Sequence, residues 1–326
     1  MTIRPYTDAD KEHWDTFVAA TKNAHFLFFR DFMEYHKDRF VDASQMVFDT
    51  KGKLTALLVA NQKEEVLYAH QGLTFGGVLW QSSLKLKAFF EMMDALIVHL
   101  CELGFRKWIY RVPPRYQQSV SCDELQTALF YLGATRIKTE LCSVIDLTNF
   151  KWSRSKQYAI RKAQKESIRI RKLPDWTLFE PMLRTRLQSR YGISPVHTKE
   201  EMLYLMTQFP ENISVYGAFY EDELLAGVTL FDNHFSGCVH AQYITSKSHP
   251  LQTKALDLLF SERILAAKTE EKRYFSLGIS SEDQGNRINA GLTHWKERWG
   301  AAPFLHETYQ IDLKVALRAK LVARLS

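Results

Sequence analysis

Cysteine is scarce in this chain of 326 residues, which contains four cysteines. They lie far apart, with no zinc-type or redox-type spacing, at Cys101, Cys122, Cys142 and Cys238. The eleven histidines form no His-x-x-x-His pair and no His/Cys cluster. These absences exclude the common zinc and disulfide frameworks. We therefore expect buried thiols in a reducing compartment and no metal site.

Long apolar runs are missing as well. No stretch approaches the roughly twenty residues of a membrane-spanning helix, and the opening MTIRPYTDADKEHW is too polar for a signal peptide. No Gly-x-Ser-x-Gly motif occurs, so a hydrolase triad lacks its usual nucleophile turn. An apolar content of 46% and a charged content of 25% are typical of a soluble globular protein. The chain length favours two domains, and we expect a cytoplasmic protein.

Acidic residues are nearly absent from Trp152–Lys172, WSRSKQYAIRKAQKESIRIRK, which holds eight Lys and Arg residues and one acid. Its net charge is +7, whereas the whole chain carries +6. Ser153 or Ser155 can cap a helix over Lys156–Glu166 with a narrow apolar stripe. The segment is then either a solvated linker helix or an anion-binding surface, with three basic residues of its broad polar face as binding candidates: Arg161, Lys162 and Lys165.

The two halves of the chain repeat one order of predicted elements: hairpin, strand, long helix, strand, short helix, strand. FDTKGKLTALLVA aligns with FYEDELLAGVTLF, and LFYLGATRIKTELCSVIDL aligns with WKERWGAAPFLHETYQIDL, at an offset of about 166 to 171 residues. Self-similarity at this scale indicates a duplicated domain. We predict two mixed α/β domains with largely antiparallel sheets, residues 1–150 and 173–326, joined by a basic linker helix in 151–172. In the first domain we predict Val66–Ala69 as the strand after the hairpin, followed by a loop.

This order, twice over, resembles a tandem N-acetyltransferase-like (GNAT) fold. The motif Ser155-Lys156 … Ile160-Arg161-Lys162-Ala163 … Lys165 is similar to the basic signature of FemAB- and FemX-like transferases, and much of the second half agrees with it. The first half resembles GNAT-type proteins of polysaccharide gene clusters through HQGLTFGG, residues 70–77. The resemblance implies transfer of an acyl or aminoacyl group to an amine, commonly on a cell-envelope precursor.

The resemblance leaves the donor open between acyl-CoA, as in GNAT enzymes, and aminoacyl-tRNA, as in FemAB-type enzymes. The acetyl-CoA site of ordinary GNAT enzymes needs a Gln/Arg-x-x-Gly-x-Gly/Ala loop whose backbone N–H groups hold the pyrophosphate. The corresponding stretch here, His249–Ala255, contains no glycine, and Gly76-Gly77 of the first half lacks the spacing. The altered loop favours tRNA or an unusual acyl carrier.

Acyl transfer to an amine needs a deprotonated amine, a positioned carbonyl and a donor for the developing oxyanion. The resemblance places an aromatic–Lys pair, here Trp295-Lys296, beside the reacting centre. Lys296 is our candidate for stabilising the tetrahedral intermediate, and Trp295 is a ligand or a core residue. The polar loop GISSEDQGNR supplies Glu282 or Asp283 as candidate base, or a solvated turn.

Six further residues are binding candidates. The resemblance places Lys37 where FemAB-like proteins bind a phosphate. The loop and the helix after it could bind a sugar or phosphate through Asn286, Arg287 and Asn289. Finally, His70 and Tyr243 come from equivalent predicted strands, and we expect them to approach each other if the halves pack pseudo-symmetrically.

Two other functions compete with a transferase. The basic helix could bind phosphates in a non-catalytic nucleic-acid-binding protein, or anionic lipids in a peripheral membrane protein. Confinement of the charge to one helix argues against the first of these. For a transferase, the anionic partner would be a nucleotide sugar, a lipid-linked phosphate or tRNA.

Overall fold

The computed structural model describes residues 1–325, and their contacts divide the chain into two compact units. The first unit contains residues 1–140, 283–286 and those from Leu305 onward, and the second contains 141–282 and 287–304. The predicted boundaries at 150 and 173 therefore differ from these. The end of the chain groups with the first unit, because its strand pairs there, and the predicted linker lies wholly inside the second unit. That the units are two duplicated domains remains a prediction.

The first unit has five helices, one of them at the end of the chain, and its first 140 residues contain short strands and four helices. In chain order they are β1 (Thr2–Pro5), α1 (Lys11–Ala19), α2 (Arg30–Glu34), β2 (Val41–Asp42), β3 (Gln45–Phe48), β4 (Leu54–Val59), β5 (Asn61–Lys63), β6 (Val66–Tyr68), β7 (Gly77–Trp80), α3 (Leu86–Glu102), β8 (Lys107–Arg111) and α4 (Asp123–Tyr131). Strand β9 (Thr135–Asp146) follows, and the boundary at Glu140 falls within it.

Two sheets form the first unit. One has the order β1-β3-β4-β7 and is antiparallel throughout. In the other, β2, β5, β6 and β8 lie side by side, and β6 and β8 are parallel. The apolar face of α3 packs into the hydrophobic core of the first unit through Phe89, Met93 and Leu96, which are fully buried. The predicted hairpin of β3 and β4 is confirmed by its register, Gln45 opposite Leu58.

The predicted strand Val66–Ala69 is confirmed as β6, but the strand that pairs with β4 of the hairpin is β7, which the sequence analysis did not predict. Strand β6 instead pairs with β8 in the other sheet. Gly76 and Gly77 lie where β7 begins, and close packing requires glycine there: a Cβ on Gly77 would lie 2.2 Å from the Tyr110 ring, and Gly77 has a φ of +100°. The Tyr110 hydroxyl accepts a hydrogen bond from the Val78 N–H at 2.7 Å. This glycine pair is therefore explained by packing.

The second unit carries longer strands and five helices. They are α5 (Arg154–Ala163), β10 (Ile168–Leu173), α6 (Phe179–Tyr191), α7 (Lys199–Gln208), β11 (Ile213–Tyr220), β12 (Glu223–Asn233), β13 (Cys238–Ser246), α8 (Gln252–Thr269), β14 (Tyr274–Ile279), β15 (Ser281–Glu282), β16 (Arg287–Ile288) and α9 (Ala290–Glu297). The chain ends with β17 (Ala302–Asp312), which pairs with β8 in the first unit, and α10 (Leu313–Ala319). Short 3-10 turns connect several elements, at Asp8–Asp10, Phe26–Phe28, Arg115–Gln117, Asp283–Gly285 and Leu321–Arg324.

The sheet of the second unit has the order β10-β11-β12-β13-β14, with β14 pairing onward to residues 142–146 of β9. Every pair in it is antiparallel except β13 with β14. Each unit is thus mixed α/β with largely antiparallel pairing, and the predicted fold class is confirmed. Over residues 1–325, no helix combines the length and apolarity that crossing a bilayer would require.

Helix α5 belongs to the core of the second unit and does not form a solvated linker. Its Ser153 cap accepts the Lys156 N–H as predicted, but Lys156 itself is buried. Its ammonium pairs with Asp257 of α8 at 2.5 Å, with the two side chains 1% and 3% exposed. Ile160 and Ala163 complete the buried face. The basic segment then continues as β10, the edge strand of the sheet.

Candidate functional site

The central feature of the second unit is a divergence of its two parallel strands. Strands β13 and β14 pair only from Cys238 and Tyr274 to His240 and Ser276, although β13 continues to Ser246 and β14 to Ile279. Beyond His240, β13 pairs on its other side with β12, where a bulge interrupts the register. The freed edge of β13 can bind an extended ligand through its backbone.

A cavity of about 390 Å³, the central cleft, lies beside the C-terminal end of β13. Its wall comes from the end of β13, the first turns of α8 and α9, and the C-terminal half of α6. Two of the predicted site residues line it, Asn289 and Trp295, together with Arg186 and Arg190. Asn289 is the N-cap of α9, and its side-chain oxygen accepts the Leu292 N–H at 2.8 Å. The cleft thus combines an aromatic wall with two guanidinium groups.

Lys296 extends from α9 to the end of β14. Its Nζ donates to the carbonyl oxygens of Gly278 at 3.0 Å and Ile279 at 2.6 Å, and the residue is 2% exposed. Burial lowers the pKa of this amine to about 8. Two of its three donor positions are used by the backbone, which fixes the amine beside the diverging strands.

His240 is a candidate that the sequence analysis missed. Its Nδ1 lies 3.0 Å from the Ser276 hydroxyl, at the last paired position of the two strands. Burial, followed by the nearby charge of Lys296, lowers the pKa of His240 to about 4. A Cβ on Gly278 would lie 3.6 Å from the His240 ring, so His240 and Lys296 both adjoin Gly278. A neutral imidazole and a cationic amine therefore flank one backbone position.

The polar loop before α9 holds most of the remaining predicted residues, but it does not bring them all together. Glu282 accepts from the Asn289 side chain at 2.6 Å and pairs with Arg287 at 2.9 Å. Asp283 and Asn286 belong to residues 283–286, which group with the first unit, and the Asp283 carbonyl accepts the Asn286 N–H. Because its carboxylate is held by both Arg287 and Asn289, Glu282 is better placed to orient the Asn289 side chain than to act as a base.

The two residues predicted to approach each other lie in different units. Tyr243 makes a 2.6 Å hydrogen bond with Nδ1 of His197, and burial raises its pKa to about 12. His70 belongs to the first unit, where it stacks on His36 with ring centroids 5.3 Å apart. Burial lowers the pKa of His70 to about 3. Lys37, also in the first unit, is exposed and follows the end of α2.

Seven exposed cations of α5, β10 and the turn between them form what we call the basic surface: Arg154, Arg161, Lys162, Lys165, Arg169, Arg171 and Lys172. Arg171 pairs weakly with Asp222 at 3.6 Å, and within residues 1–325 the other six form no ion pair. Exposed Tyr158 lies among them, with the Lys162 Nζ 4.7 Å from its ring centroid. None of these residues lines the central cleft. The surface therefore offers a second, separate place for an anion.

Three backbone positions at the N-terminus of α8 offer no free donor. Pro250 has no N–H, and the N–H groups of Leu251 and Gln252 are taken by the ring and the carbonyl of His249, at 3.0 and 2.9 Å. A pyrophosphate at this helix end would need such donors. No group of three His, Cys, Asp or Glu side chains that could hold a metal ion is found in the described part of the chain.

The mixed α/β units and the diverging strands of the second unit are those of a GNAT-like fold, and comparison with solved structures confirms this fold. The chain is similar to FemX over 96% of its own residues and 97% of that chain, with a TM-score of 0.67 at 10% identity. It is similar to L-PGS from Bacillus licheniformis over 98% and 97%, with a TM-score of 0.57 at 13% identity.

A tandem GNAT protein from the clavulanic acid biosynthesis pathway is also similar, over 96% of this chain and 98% of that one, with a TM-score of 0.51 at 11% identity. No protein-family model matches the sequence, and no curated protein sequence matches it. At these identities the likeness establishes the fold shared by FemX and the tandem GNAT proteins. The resemblance in fold stated from the sequence is confirmed.

Proposed function

We propose that the protein is an N-acyltransferase that moves an acyl or aminoacyl group from an activated carrier to an amine. The observation that carries this proposal is the placement of Lys296 and His240 on either side of Gly278, where β13 and β14 separate. A carbonyl bound along the freed edge of β13 would lie next to both groups. The fold shared with FemX and tandem GNAT proteins supports the same chemistry.

The proposed step needs one base and one oxyanion donor. Neutral His240 takes a proton from the attacking amine, whose nitrogen forms a bond to the carbonyl carbon. Lys296 stabilises the negative charge that develops on the carbonyl oxygen. The intermediate collapses with cleavage of the bond to the carrier, which leaves as an alcohol or thiol and receives the proton. We therefore propose His240 as the base, in place of Glu282 or Asp283.

Aminoacyl-tRNA is the donor we favour over acetyl-CoA. Pro250 and the bonded N–H groups of Leu251 and Gln252 remove three backbone donors from the start of α8, which weakens the case for CoA. Six unpaired cations on the basic surface match a phosphate backbone, and exposed Tyr158 can stack on an unpaired base. The resemblance to FemAB-type enzymes points the same way. In this proposal the acceptor is an anionic amine of the cell envelope, recognised by Arg186 and Arg190.

Binding of tRNA tests the role of the basic surface. Replacing Arg161, Lys162 and Lys165 by Gln should reduce the slope of log affinity against log salt by roughly two to three, because each phosphate contact releases about one counterion. The melting temperature should change little, since the three side chains are exposed. Filter binding of charged tRNA between low and moderate salt measures the slope.

The matched control removes the same charge from exposed lysines of the first unit, by Lys51→Gln, Lys53→Gln and Lys85→Gln. It should leave the slope unchanged. Equal slopes in both triple variants would show that the basic surface is only a solvated face. A melting-temperature rise with acetyl-CoA and none with charged tRNA would assign the donor to CoA.

A non-catalytic nucleic-acid-binding protein is the second candidate, because the basic surface alone would serve it. That function needs neither the buried amine nor the central cleft. Tight tRNA binding that is equal for charged and uncharged tRNA, with no transfer to any amine, would favour it.

A further inference from the structure

A second cavity opens beside the central cleft in the same unit. This lateral groove has a volume of about 890 Å³ and lies between α6, the β11–β12 turn and the end of β13. Arg186 and Ser246 line both the groove and the central cleft. A ligand can therefore reach from one into the other past a guanidinium group.

The floor and mouth of the groove are largely apolar. Met182, Phe219 and Leu224 are buried in its wall, and Pro181 and Leu178 stand at its opening, where Leu178 is 59% exposed. Hydroxyl groups of Thr and Ser residues complete the rim. An apolar channel of this size is far larger than an acetyl or aminoacyl group requires, and it suits a flexible hydrocarbon chain.

The charges around the groove leave one cation available. Lys247 is paired with Glu223 at 3.0 Å, and Asp222 faces Arg171 at 3.6 Å. Arg186 has no carboxylate within ion-pair distance among the described residues, and it stands at the junction of the two cavities. The groove thus presents an apolar channel that ends at an unpaired guanidinium.

We propose that the lateral groove binds the alkyl chain of an anionic amphiphile, whose phosphate or carboxylate lies at Arg186. Planar guanidinium groups bind both anions with paired hydrogen bonds. Naming this amphiphile as the acceptor rests on the proposed transferase function, whereas its binding does not. When the amphiphile is the acceptor, Arg186 holds its anionic group at the edge of the central cleft. The length of its alkyl chain then determines which acceptors are selected.

Calorimetric titration with inorganic phosphate and a series of n-alkyl phosphates, from butyl to decyl and below their micelle concentrations, tests the proposal without any donor. The dissociation constant should fall roughly fourfold for each methylene that enters the groove, and then level off. Alkylammonium ions of equal length should bind far more weakly. A dissociation constant that is independent of chain length would overturn the proposal.

Two substitutions distinguish the contribution of the anionic group to binding from that of the alkyl chain. Arg186→Gln should weaken phosphate and every alkyl phosphate by one common factor, roughly tenfold or more, and preserve the dependence on length. Leu178→Asp should largely remove that dependence. The control Leu265→Asp, at a leucine of α8 that is 47% exposed and outside the groove, should preserve it.

Equal effects of Leu178→Asp and Leu265→Asp would contradict the assignment. If Leu178→Asp instead converts an oligomer into a monomer while alkyl phosphates fail to bind, the groove is a contact between copies of the chain and the proposal is wrong. Chain-length-dependent binding in a protein that transfers no acyl group would uphold the groove and reject the transferase. Transfer of an acyl group to short, water-soluble amines by a protein that does not bind alkyl phosphates would uphold the transferase and reject the groove.

Discussion

Lys296→Met should lower the turnover number by about 100- to 1000-fold and leave substrate binding nearly unchanged, because the loss of one oxyanion donor has that effect. The methionine keeps much of the bulk of the side chain and removes its charge. Single-turnover rates and separately measured dissociation constants distinguish the two effects. Lys268→Met, at an exposed lysine of α8, serves as the control and should behave as the parent protein.

The same substitution also has a structural cost. It leaves the carbonyl oxygens of Gly278 and Ile279 without their donor, which should reduce the free energy of unfolding by about 1–3 kcal/mol. Assays below the melting temperature of the variant separate this cost from catalysis. A variant that is folded, binds substrates and turns over at the parent rate would remove Lys296 from the mechanism and direct attention to His240 alone.

The pH dependence gives an independent readout of this lysine. Its pKa of about 8 in the folded protein lies below the ordinary lysine value, so the cation and the turnover should both be lost as pH rises through about 8. Stability changes in the opposite direction. Because the unfolded chain binds the proton more tightly, the free energy of unfolding should rise from pH 8 toward the ordinary lysine pKa. Lys296→Met should abolish both trends.

Lys156→Met should destabilise the second unit by about 3–5 kcal/mol, the usual cost of removing one partner from a buried ion pair. Lys156 bonds to Asp257 at 2.5 Å, and its ammonium lies 4.1 Å from the centroid of the Trp299 ring. It thus connects α5, α8 and the segment that follows α9. Urea unfolding measures the loss.

Lys162→Met is the matched control, because Lys162 is exposed on the same helix and should change stability by at most about 0.5 kcal/mol. Adding Asp257→Leu to Lys156→Met removes the unpaired carboxylate and should recover part of the loss. Similar stabilities for the Lys156→Met and Lys162→Met variants would mean that the buried pair contributes nothing to the fold.

Local patterns in the sequence predicted the regular elements well. The predicted order of hairpin, strand, long helix and strand is present in the second unit as β11 and β12, β13, α8 and β14. The linker interpretation failed because it depends on a long-range contact. Nothing near Lys156 in sequence indicates that a carboxylate 101 residues away neutralises it in the core. Strand β7 was missed because it begins at a glycine, which is typical of a loop in a sequence. The reason for that glycine is its contact with Tyr110, which only the structure shows.

The residues of the candidate site also fall into two groups: those that a local motif indicates and those that only the folded structure brings together. Trp295 and Lys296 were proposed from a motif on one helix, and the structure places Trp295 in the wall of the central cleft and the Lys296 amine at the end of β14. His240 lies within an ordinary strand pattern, and its interest comes from the point where β13 and β14 stop pairing. The groove at Arg186 requires three elements to converge, so spacing along the chain could not indicate it.

The most direct test of the proposed function is a transfer assay. The protein is incubated with a mixture of radiolabelled aminoacyl-tRNAs, or with labelled acetyl-CoA, and a cell extract that contains lipid-linked and soluble amines. We expect label to move from aminoacyl-tRNA to an acceptor through an amide bond that is stable to mild alkali, and Lys296→Met to slow this transfer by about 100-fold or more. Absence of transfer from either donor, in a folded protein that binds tRNA, would contradict the proposed function.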